Sequence, residues 1–350
     1  FFIAAPVFAF LVLGKRPAWF PIGVLLFSLA SLFFIFGLEI KRGAASQSVL
    51  NKKPSVVESI ESQEDGKPLT NFRVATFLTG EILFRGVLSN RIVGPDEIAF
   101  FHKELLTNQI GELYGLETMF GFEPFRTLRM NQLLDTVIAP NTTAVFVPEA
   151  VRQGGRLDQR SNVDVIRAAT IEEKIKDFVS HLPLLSMMNV KYILSAYPLP
   201  AAQLHEIQLP ASSLPFTMHL YENSLVLPRI YFTEHPVFWS GSERDLLLEV
   251  AKTKDFRTKT FIECSCRELP VQSLTQKDSV TIGAYKNGFL DVSVESARGG
   301  WLVFSESNLP GWRAKIDNRE VPIYTANYLF QSIQVPPGIH YIVFSYLTND

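Results

Sequence analysis

An uncharged run at residues 18–38 (AWFPIGVLLFSLASLFFIFGL) constrains this chain more than any other feature of its sequence. The run is long enough to cross about 30 Å of hydrocarbon, which takes roughly 20 helical residues. Trp19 stands near its start, at the interfacial depth that tryptophan favours, and Glu39 follows its end. A helix buried in a soluble core normally keeps a polar stripe, which this run lacks. The sequence therefore predicts a transmembrane helix here.

A shorter apolar run precedes it, at residues 1–13 (FFIAAPVFAFLVL). It fits either the second half of a spanning helix or the apolar part of a signal peptide. A signal peptide needs a charged segment before the run and a small-residue cleavage site after it, so the spanning helix is favoured. Residues 1–42 are thus predicted as transmembrane helices, the first of them truncated. Lys15 and Arg16 on one side balance Lys41 and Arg42 on the other, so loop charge does not orient them.

The remaining chain divides by composition and periodicity into three predicted parts. Residues 43–71 are polar and predict a linker. Residues 72–200 mix strand patterns (72–78, 190–195) with helical ones (97–110, 124–138, 171–185), which predicts a mixed α/β domain. Residues 201–350 predict a β-rich domain. The fold class predicted for the whole chain is α+β with N-terminal transmembrane helices.

The last part of the chain is typical of an antiparallel β-sandwich. Turn signals such as Gly299-Gly300, Asp317-Asn318 and Pro336-Pro337-Gly338 separate short alternating segments. The strands predicted between these turns are 289–296, 301–306, 313–316, 321–323, 330–335 and 340–345. Short strands at this spacing predict that the chain ends in a sandwich.

Charge and cysteine content exclude some classes of protein. The formal net charge is −2, with no basic stripe, so nucleic-acid binding is not expected. The two cysteines, Cys264 and Cys266, form an i, i+2 pair that favours neighbouring positions on one face of a strand. Redox chemistry or metal binding by this pair stays an open alternative. No disulfide framework is predicted.

Motifs that carry known chemistry do not occur in this sequence. It has no Gly-rich phosphate loop, no nucleophile elbow and no two-histidine zinc motif, and its six histidines are scattered. No catalytic residue, metal ligand or cofactor is therefore predicted within this chain, which disfavours a soluble hydrolase. Enzymatic activity is left undecided by the residues themselves.

Two groups of side chains are candidates for binding. Tyr114, Glu117, Arg126 and Arg129 lie within one turn-rich segment and are predicted to face a substrate-binding cleft, with ion pairing at a helix start as the alternative. Aromatic residues near the C-terminus form either a sugar-stacking platform or sandwich core, and core is favoured. These aromatic residues are Trp301, Trp312, Tyr324, Tyr328 and Phe330.

Four segments together resemble one known family. They are 112–134 (ELYGLETMFGFEPFRTLRMNQLL), 184–195 (LLSMMNVKYILS), 221–232 (YENSLVLPRIYF) and 299–346, which begins GGWLVFSESNLPGW. In order and spacing these segments are similar to motifs of the YfhO-like bacterial membrane proteins.

The resemblance implies a polytopic protein of which this chain is the C-terminal part, with further helices at each end. It also implies a lipid-dependent glycosyltransferase of the GT-C type that uses polyprenyl-phosphate sugars. The globular part would then be extracytoplasmic, in a bacterial cell membrane, and the catalytic carboxylate would lie in an early loop without a counterpart here. Expected partners are the lipid bilayer, a polyprenyl-phosphate-linked sugar and a cell-envelope polymer. The alternative is a non-catalytic cell-surface module that binds glycan or protein.

Overall fold

The computed structural model describes residues 45–83, 93–119, 127–137, 142–143, 167–168, 170–266 and 278–347. The α-helices of these residues are α1 Gln47–Asn51, α2 Ser55–Glu64, α3 Thr79–Glu81, α4 Pro95–Glu104, α5 Leu128–Val137, α6 Ile171–Ser180, α7 Leu182–Met187 and α8 Glu243–Lys252. Two 3₁₀ segments, Leu69–Asn71 and Thr107–Tyr114, accompany them.

The predicted fold class needs correction in its membrane part. None of the helices in the described ranges is long and apolar enough to cross a bilayer. The longest α-helices have 10 residues, about half the length that spanning requires. The spans predicted at residues 1–42 lie outside the described residues.

The strands are β1 Arg73–Phe77, β2 Glu117–Thr118, β3 Thr142–Thr143, β4 Arg167–Ala168, β5 Val190–Ser195, β6 Leu204–Ile207, β7 His219–Asn223, β8 Ile230–Phe232, β9 Pro236–Trp239, β10 Thr260–Glu263, β11 Ser279–Lys286, β12 Phe289–Ser296, β13 Gly300–Ser307, β14 Trp312–Ile316, β15 Arg319–Val321, β16 Tyr324–Ala326, β17 Phe330–Val335 and β18 Gly338–Tyr346.

The chain divides into two compact units. The smaller unit comprises Phe1–Lys52 with Arg91–Phe101, and the larger unit comprises Lys53–Asn90 with His102–Asp350. Among the described residues of the smaller unit, the Ser46 backbone N–H donates to the Asp96 carboxylate. All sheets belong to the larger unit, where the following features lie.

The first sheet has the order β2-β1-β5-β7-β6. Its first three strands are parallel, and β7 and β6 add antiparallel. Because β7 pairs with β5, and β6 pairs with β7, this sheet crosses the division predicted between residues 200 and 201. One face packs against α2, whose Val56, Val57 and Ile60 are buried, although residues 43–71 were predicted as a linker.

Helices α5 to α8 contribute to the apolar core on the other face of this sheet. Leu133 of α5, Phe178 of α6 and Leu246 of α8 belong to one continuous apolar core with Ile193 of β5. The helix predicted over 171–185 is instead two helices, because Pro183 has no N–H to continue the first. Helix α6 begins with a capping box in which the Thr170 and Glu173 side chains each bond the other's backbone N–H.

Two further sheets pack face to face at the C-terminal end. Their orders are β8-β13-β17-β16-β10-β9 and β11-β12-β18-β14-β15. Alternate residues of β13 explain its position: Leu302 and Phe304 enter the core between these two sheets, whereas Trp301 and Val303 enter the core shared with the helices. A stretch of strand that is buried on both faces must be apolar, as Trp301 to Phe304 of β13 are.

The sandwich departs from the antiparallel prediction at one edge. Strand β9 pairs parallel to β10, and β10 pairs antiparallel to β16. The other sheet of the sandwich, β11-β12-β18-β14-β15, is antiparallel throughout. In its β14–β15 hairpin, Asp317 and Asn318 have φ of 49° and 66°, as a two-residue type I′ turn requires.

Candidate functional site

Five polar side chains meet where the first sheet adjoins the sandwich, and they are called the arginine–glutamate network below. Arg73 opens β1, Glu117 opens β2, and Arg229 immediately precedes β8. Tyr285 comes from β11 and Glu306 from β13. In the register of β1 and β2, Arg73 lies opposite Glu117, so the backbone itself brings the first pair together.

Arg73 joins the first sheet to the sandwich. Its Nε donates to Glu117 Oε1, and its Nη2 donates to Glu306 Oε2 at 3.2 Å. Its Nη1 donates to the Ser305 carbonyl at 2.6 Å and to the Met188 carbonyl at 3.1 Å. A guanidinium presents its donors in a rigid planar fork, which suits such a junction.

Arg229 is the most buried member, with 0% of its side chain exposed. Its Nη2 donates to Glu117 Oε2 at 2.7 Å, and its Nη1 donates to the Tyr285 hydroxyl at 3.0 Å. The guanidinium carbon also lies 4.3 Å from the centre of the Tyr285 ring, a cation–π distance. A buried charge is tolerated only when paired in this way.

The two carboxyl groups differ in pKa. Burial raises the pKa of Glu117, but the charges of Arg73 and Arg229 outweigh it, so the net pKa is lowered. Burial dominates for Glu306, whose pKa is raised although Arg73 opposes the shift. Burial and the Glu117 charge raise the pKa of Tyr285, so the phenol stays protonated at neutral pH.

This arrangement is suited to holding the first sheet against the sandwich rather than to transferring protons. Two arginines and two glutamates cancel in charge, and both Glu117 oxygens accept from guanidinium groups. The Glu117 and Glu306 side chains keep 31% and 28% of their surfaces accessible, so solvent reaches the network. The network fixes the first sheet against the sandwich.

The structure separates the residues predicted to share a cleft. Glu117 belongs to the arginine–glutamate network, whereas Arg129 of α5 forms a second cluster. Arg129 donates to both Glu263 oxygens at 2.5 and 2.9 Å, to the Glu243 carboxylate, and to the Tyr328 carbonyl at 3.0 Å. These are the ion pairs that the alternative interpretation described.

The other two predicted site residues contribute to neither group. Tyr114 ends its 3₁₀ segment, packs against the core beneath α2, and has Lys103 Nζ at 5.9 Å from its ring centre. Arg126 lies outside the described residues. A substrate-binding role for Tyr114, Glu117, Arg126 and Arg129 stays a prediction.

Sequence reasoning missed Arg73, Arg229, Tyr285 and Glu306. The sequence did hold a signal for two of them. Arg229 and Glu306 lie inside the segments 221–232 and 299–346, which resemble motifs of the YfhO-like proteins. Each is also a charged residue at the end of a strongly apolar strand segment, where a buried partner is expected. Arg73 and Tyr285 follow only from tertiary structure.

The structure also places the C-terminal aromatic residues and the two cysteines. Trp301, Tyr328 and Phe330 are buried, as the core interpretation expects, whereas Trp312 and Tyr324 are half-buried. Strand β10 ends at Glu263, so Cys264 and Cys266 follow the strand instead of sharing its face. Their sulfur atoms are joined in a disulfide. No group of His, Cys, Asp and Glu arranged to hold a metal occurs in the described ranges.

Comparison with known proteins bears on the sandwich. Residues 270–349 match the family model described as "Bacterial membrane protein YfhO". The C-terminal part of this chain is YfhO-like. The YfhO-like part carries β11 to β18, and therefore supplies Tyr285 and Glu306 to the network, while Arg73, Glu117 and Arg229 precede it.

The match supports a protein associated with a bacterial membrane. Neither curated proteins nor solved structures gave a match to the chain.

Proposed function

We propose that this chain is the extracytoplasmic part of a multi-pass bacterial membrane glycosyltransferase and positions a cell-envelope acceptor. The sugar comes from a polyprenyl-phosphate donor. The observation that carries the proposal is the match of residues 270–349 to a family of bacterial membrane proteins. Catalysis is assigned to groups outside this chain.

The arginine–glutamate network supports a positioning role. Arg73 of the first sheet contacts Ser305 and Glu306 of the sandwich, and Arg229 contacts Glu117 of the first sheet. These charged hydrogen bonds are stronger than neutral ones, so the two sheets form one stiff support. An acceptor bound to such a support keeps a fixed orientation.

Fixed orientation matters most when the other substrate is confined. A polyprenyl-phosphate donor moves only in the plane of the bilayer. An acceptor site tethered to the membrane therefore meets the donor by diffusion in two dimensions instead of three. Holding two reactants in a productive geometry can contribute roughly 7–11 kcal/mol to lowering a barrier. The proposal therefore gives this region a kinetic role without a catalytic side chain.

The test uses the complete protein in membrane vesicles that contain its envelope polymer. Undecaprenyl phosphate loaded with tritiated glucose, galactose or N-acetylglucosamine serves as donor, and label in polymer and lipid fractions is counted. Protein without residues 71–350 is compared at equal membrane abundance. We expect transfer to the polymer to fall at least tenfold when these residues are removed.

Two results would contradict the proposal. Undiminished transfer after removal would make this region an appendage of the enzyme. No transfer from any of these donors, by the intact protein, would favour the non-catalytic surface module that binds glycan or protein.

A further inference from the structure

A pocket of about 460 Å³ lies beside the first sheet, lined by the start of α2, the end of α4 and residues 208–218, which join β6 to β7. Its volume falls within the range of about 300–1,000 Å³ that is typical of small-molecule sites. Its lining residues all belong to the larger unit, and none of them is part of the arginine–glutamate network or the Arg129 cluster. The lining residues used below are Ser55, Glu104, Ile207, Leu209 and Met218.

Glu104 is a buried carboxylate in this pocket, with 6% of the residue exposed. Its oxygens accept hydrogen bonds from Ser55 alone. The Ser55 backbone N–H lies 3.1 Å from each oxygen, and the Ser55 hydroxyl donates to Oε2. The ion pairs formed within the described ranges do not include Glu104. Glutamate is almost never buried to this degree without a charged partner.

The bonds to Ser55 leave the Glu104 carboxylate only partly satisfied. Two protons reach a group that offers about four lone-pair sites. Ser55 is the first residue of α2, and a helix N-terminus supplies only about half of an elementary positive charge. Part of the buried negative charge is therefore left without compensation, and a cation in the pocket would supply it.

Ile207, Leu209 and Met218 form an apolar wall of the pocket. All three are half-buried against the core beneath α2. In the register of β6 and β7, Ile207 lies opposite Leu220, which belongs to that core. The helix to which Glu104 bonds covers the same core. The apolar wall and the carboxylate thus lie on the same face of the first sheet.

A second carboxylate of the lining, Glu206, projects from the opposite face. It lies opposite Tyr221 in the same register, and Tyr221 belongs to the core to which α5 to α8 contribute. The Glu206 carboxylate also pairs with His219 Nδ1 at 2.7 Å. The pocket therefore offers one carboxylate, which suits a single ammonium group better than a calcium ion, which takes six to eight oxygen ligands.

We propose that this pocket binds a small primary amine, with its ammonium group on Glu104 and its apolar body against Ile207, Leu209 and Met218. An ammonium group has three N–H donors, which match the open lone pairs of the carboxylate. Its positive charge compensates the buried negative one, and its apolar body leaves water for the wall. The inference is independent of the proposed glycosyltransferase activity.

The test uses the full chain labelled with ¹³C at its methionine methyl groups and observed by NMR. The chain has five methionines, and Met218→Leu assigns the resonance of this one. The probe is n-hexylammonium, and 1-hexanol is the uncharged comparison with the same apolar body. We expect a saturable shift of the Met218 resonance with hexylammonium. Affinity for hexanol should be weaker by about tenfold or more, because a hydrogen bond between charged groups is lost.

The contribution of the apolar wall is measured with methylammonium. It keeps the charge and lacks five methylene groups, so we expect its affinity to be weaker than that of hexylammonium by about tenfold or more. An affinity equal to that of hexylammonium would contradict the apolar contact with Met218.

Glu104→Gln removes the charge and keeps an oxygen that can accept from Ser55. We expect it to weaken hexylammonium binding by about tenfold or more and to leave hexanol binding within about twofold. The matched control is Glu58→Gln, which changes an exposed glutamate in the first turn of α2. The affinity of this control for hexylammonium should equal that of the unaltered chain.

The inference is overturned if hexylammonium gives no saturable shift at Met218, or if hexanol binds the unaltered chain as tightly. Equal affinities of the Glu104 and Glu58 variants for hexylammonium would also overturn it. If the Glu104 variant does not fold, the comparison of hexylammonium with hexanol on the unaltered chain decides the question.

Discussion

Arg73 and Glu117 lie opposite each other on neighbouring parallel strands, and the Arg73 Nε donates to Glu117 Oε1. The same carboxylate accepts from the fully buried Arg229. One glutamate thus compensates two cations that come from distant parts of the chain. Loss of this carboxylate leaves both guanidinium groups short of a partner, which is the basis of the first prediction.

Glu117→Gln is expected to destabilise the fold by about 2–3 kcal/mol, toward the low end of values for a broken buried pair because solvent reaches this side chain. The free energy of unfolding in urea measures the effect. Glu61→Gln, which breaks an exposed pair with Lys53 at 2.8 Å, is the control and should cost less than about 1 kcal/mol. Equal effects of the two substitutions would contradict the role of Glu117 in the network.

The Asp317–His340 pair is expected to make stability depend on pH. The hydrogen bond of 2.7 Å between His340 Nδ1 and Asp317 Oδ2 raises the pKa of His340 and lowers the pKa of Asp317. A raised histidine pKa stabilises the fold below the unfolded value of about 6.5, and that stabilisation is lost as pH rises through the folded pKa. A lowered aspartate pKa stabilises above its unfolded value of about 3.9, and that stabilisation is lost as pH falls through the folded pKa.

These two signs define a window between about pH 4 and pH 6.5 in which the pair contributes most. His340→Gln should therefore lower the Tm relative to the unaltered chain more at pH 5.5 than at pH 9. Thermal unfolding followed by circular dichroism at both pH values measures this difference. A Tm difference that is the same at both pH values would show that the pair is not formed.

The β14–β15 turn predicts that two substitutions at one position differ in their effect on stability. Asn318 has a φ of 66°, in the left-handed region that glycine adopts freely and β-branched residues avoid. Asn318→Gly should leave stability within about 0.5 kcal/mol, whereas Asn318→Val should cost about 1–2 kcal/mol. Urea unfolding of both variants is the measurement, and equal midpoints would contradict a type I′ turn here.

A substitution at Gly299 is expected to cost more stability than those at Asn318. Its φ is +69°, and an added Cβ would lie 2.5 Å from the Val335 carbonyl oxygen, which belongs to the backbone and cannot turn aside. Gly299→Ala should therefore cost about 2–4 kcal/mol. Gly80→Ala is the matched control, because nothing lies within 4 Å of its added Cβ. A control that destabilises as much as Gly299→Ala would show that neither effect comes from crowding.

Sequence periodicity located several strands of the sandwich, most clearly β12, whose residues alternate between buried and less buried positions. The predicted strand at 289–296 coincides with β12, and that at 330–335 with β17. Strand β16 was missed, because Tyr324–Ala326 is too short to show a period. The parallel pairing of β9 with β10 also follows from tertiary packing, which no local pattern encodes.

The candidate sites were harder to predict for the same reason. Glu117 was identified by its neighbours in sequence, but its partners Arg73 and Arg229 are 44 and 112 positions away. Closeness in sequence did not indicate that Glu117 and Arg129 have different partners, those of Arg129 lying on α8 and β10; their substrate-binding role stays a prediction. Burial of charge is a property of the folded state, and composition alone does not reveal it.

The sharing of strands in the six-stranded sheet limits where this protein can be cut. Strands β13 and β16 of the YfhO-like part pair with β8 and β10, which precede residue 270. A fragment that starts at residue 270 would expose two unpaired strand edges and the apolar face that holds Trp301 and Val303. Such edges invite strand-to-strand aggregation. The segment that matches the family model is therefore smaller than the set of strands that pair with it, and recombinant pieces should retain β8 to β10.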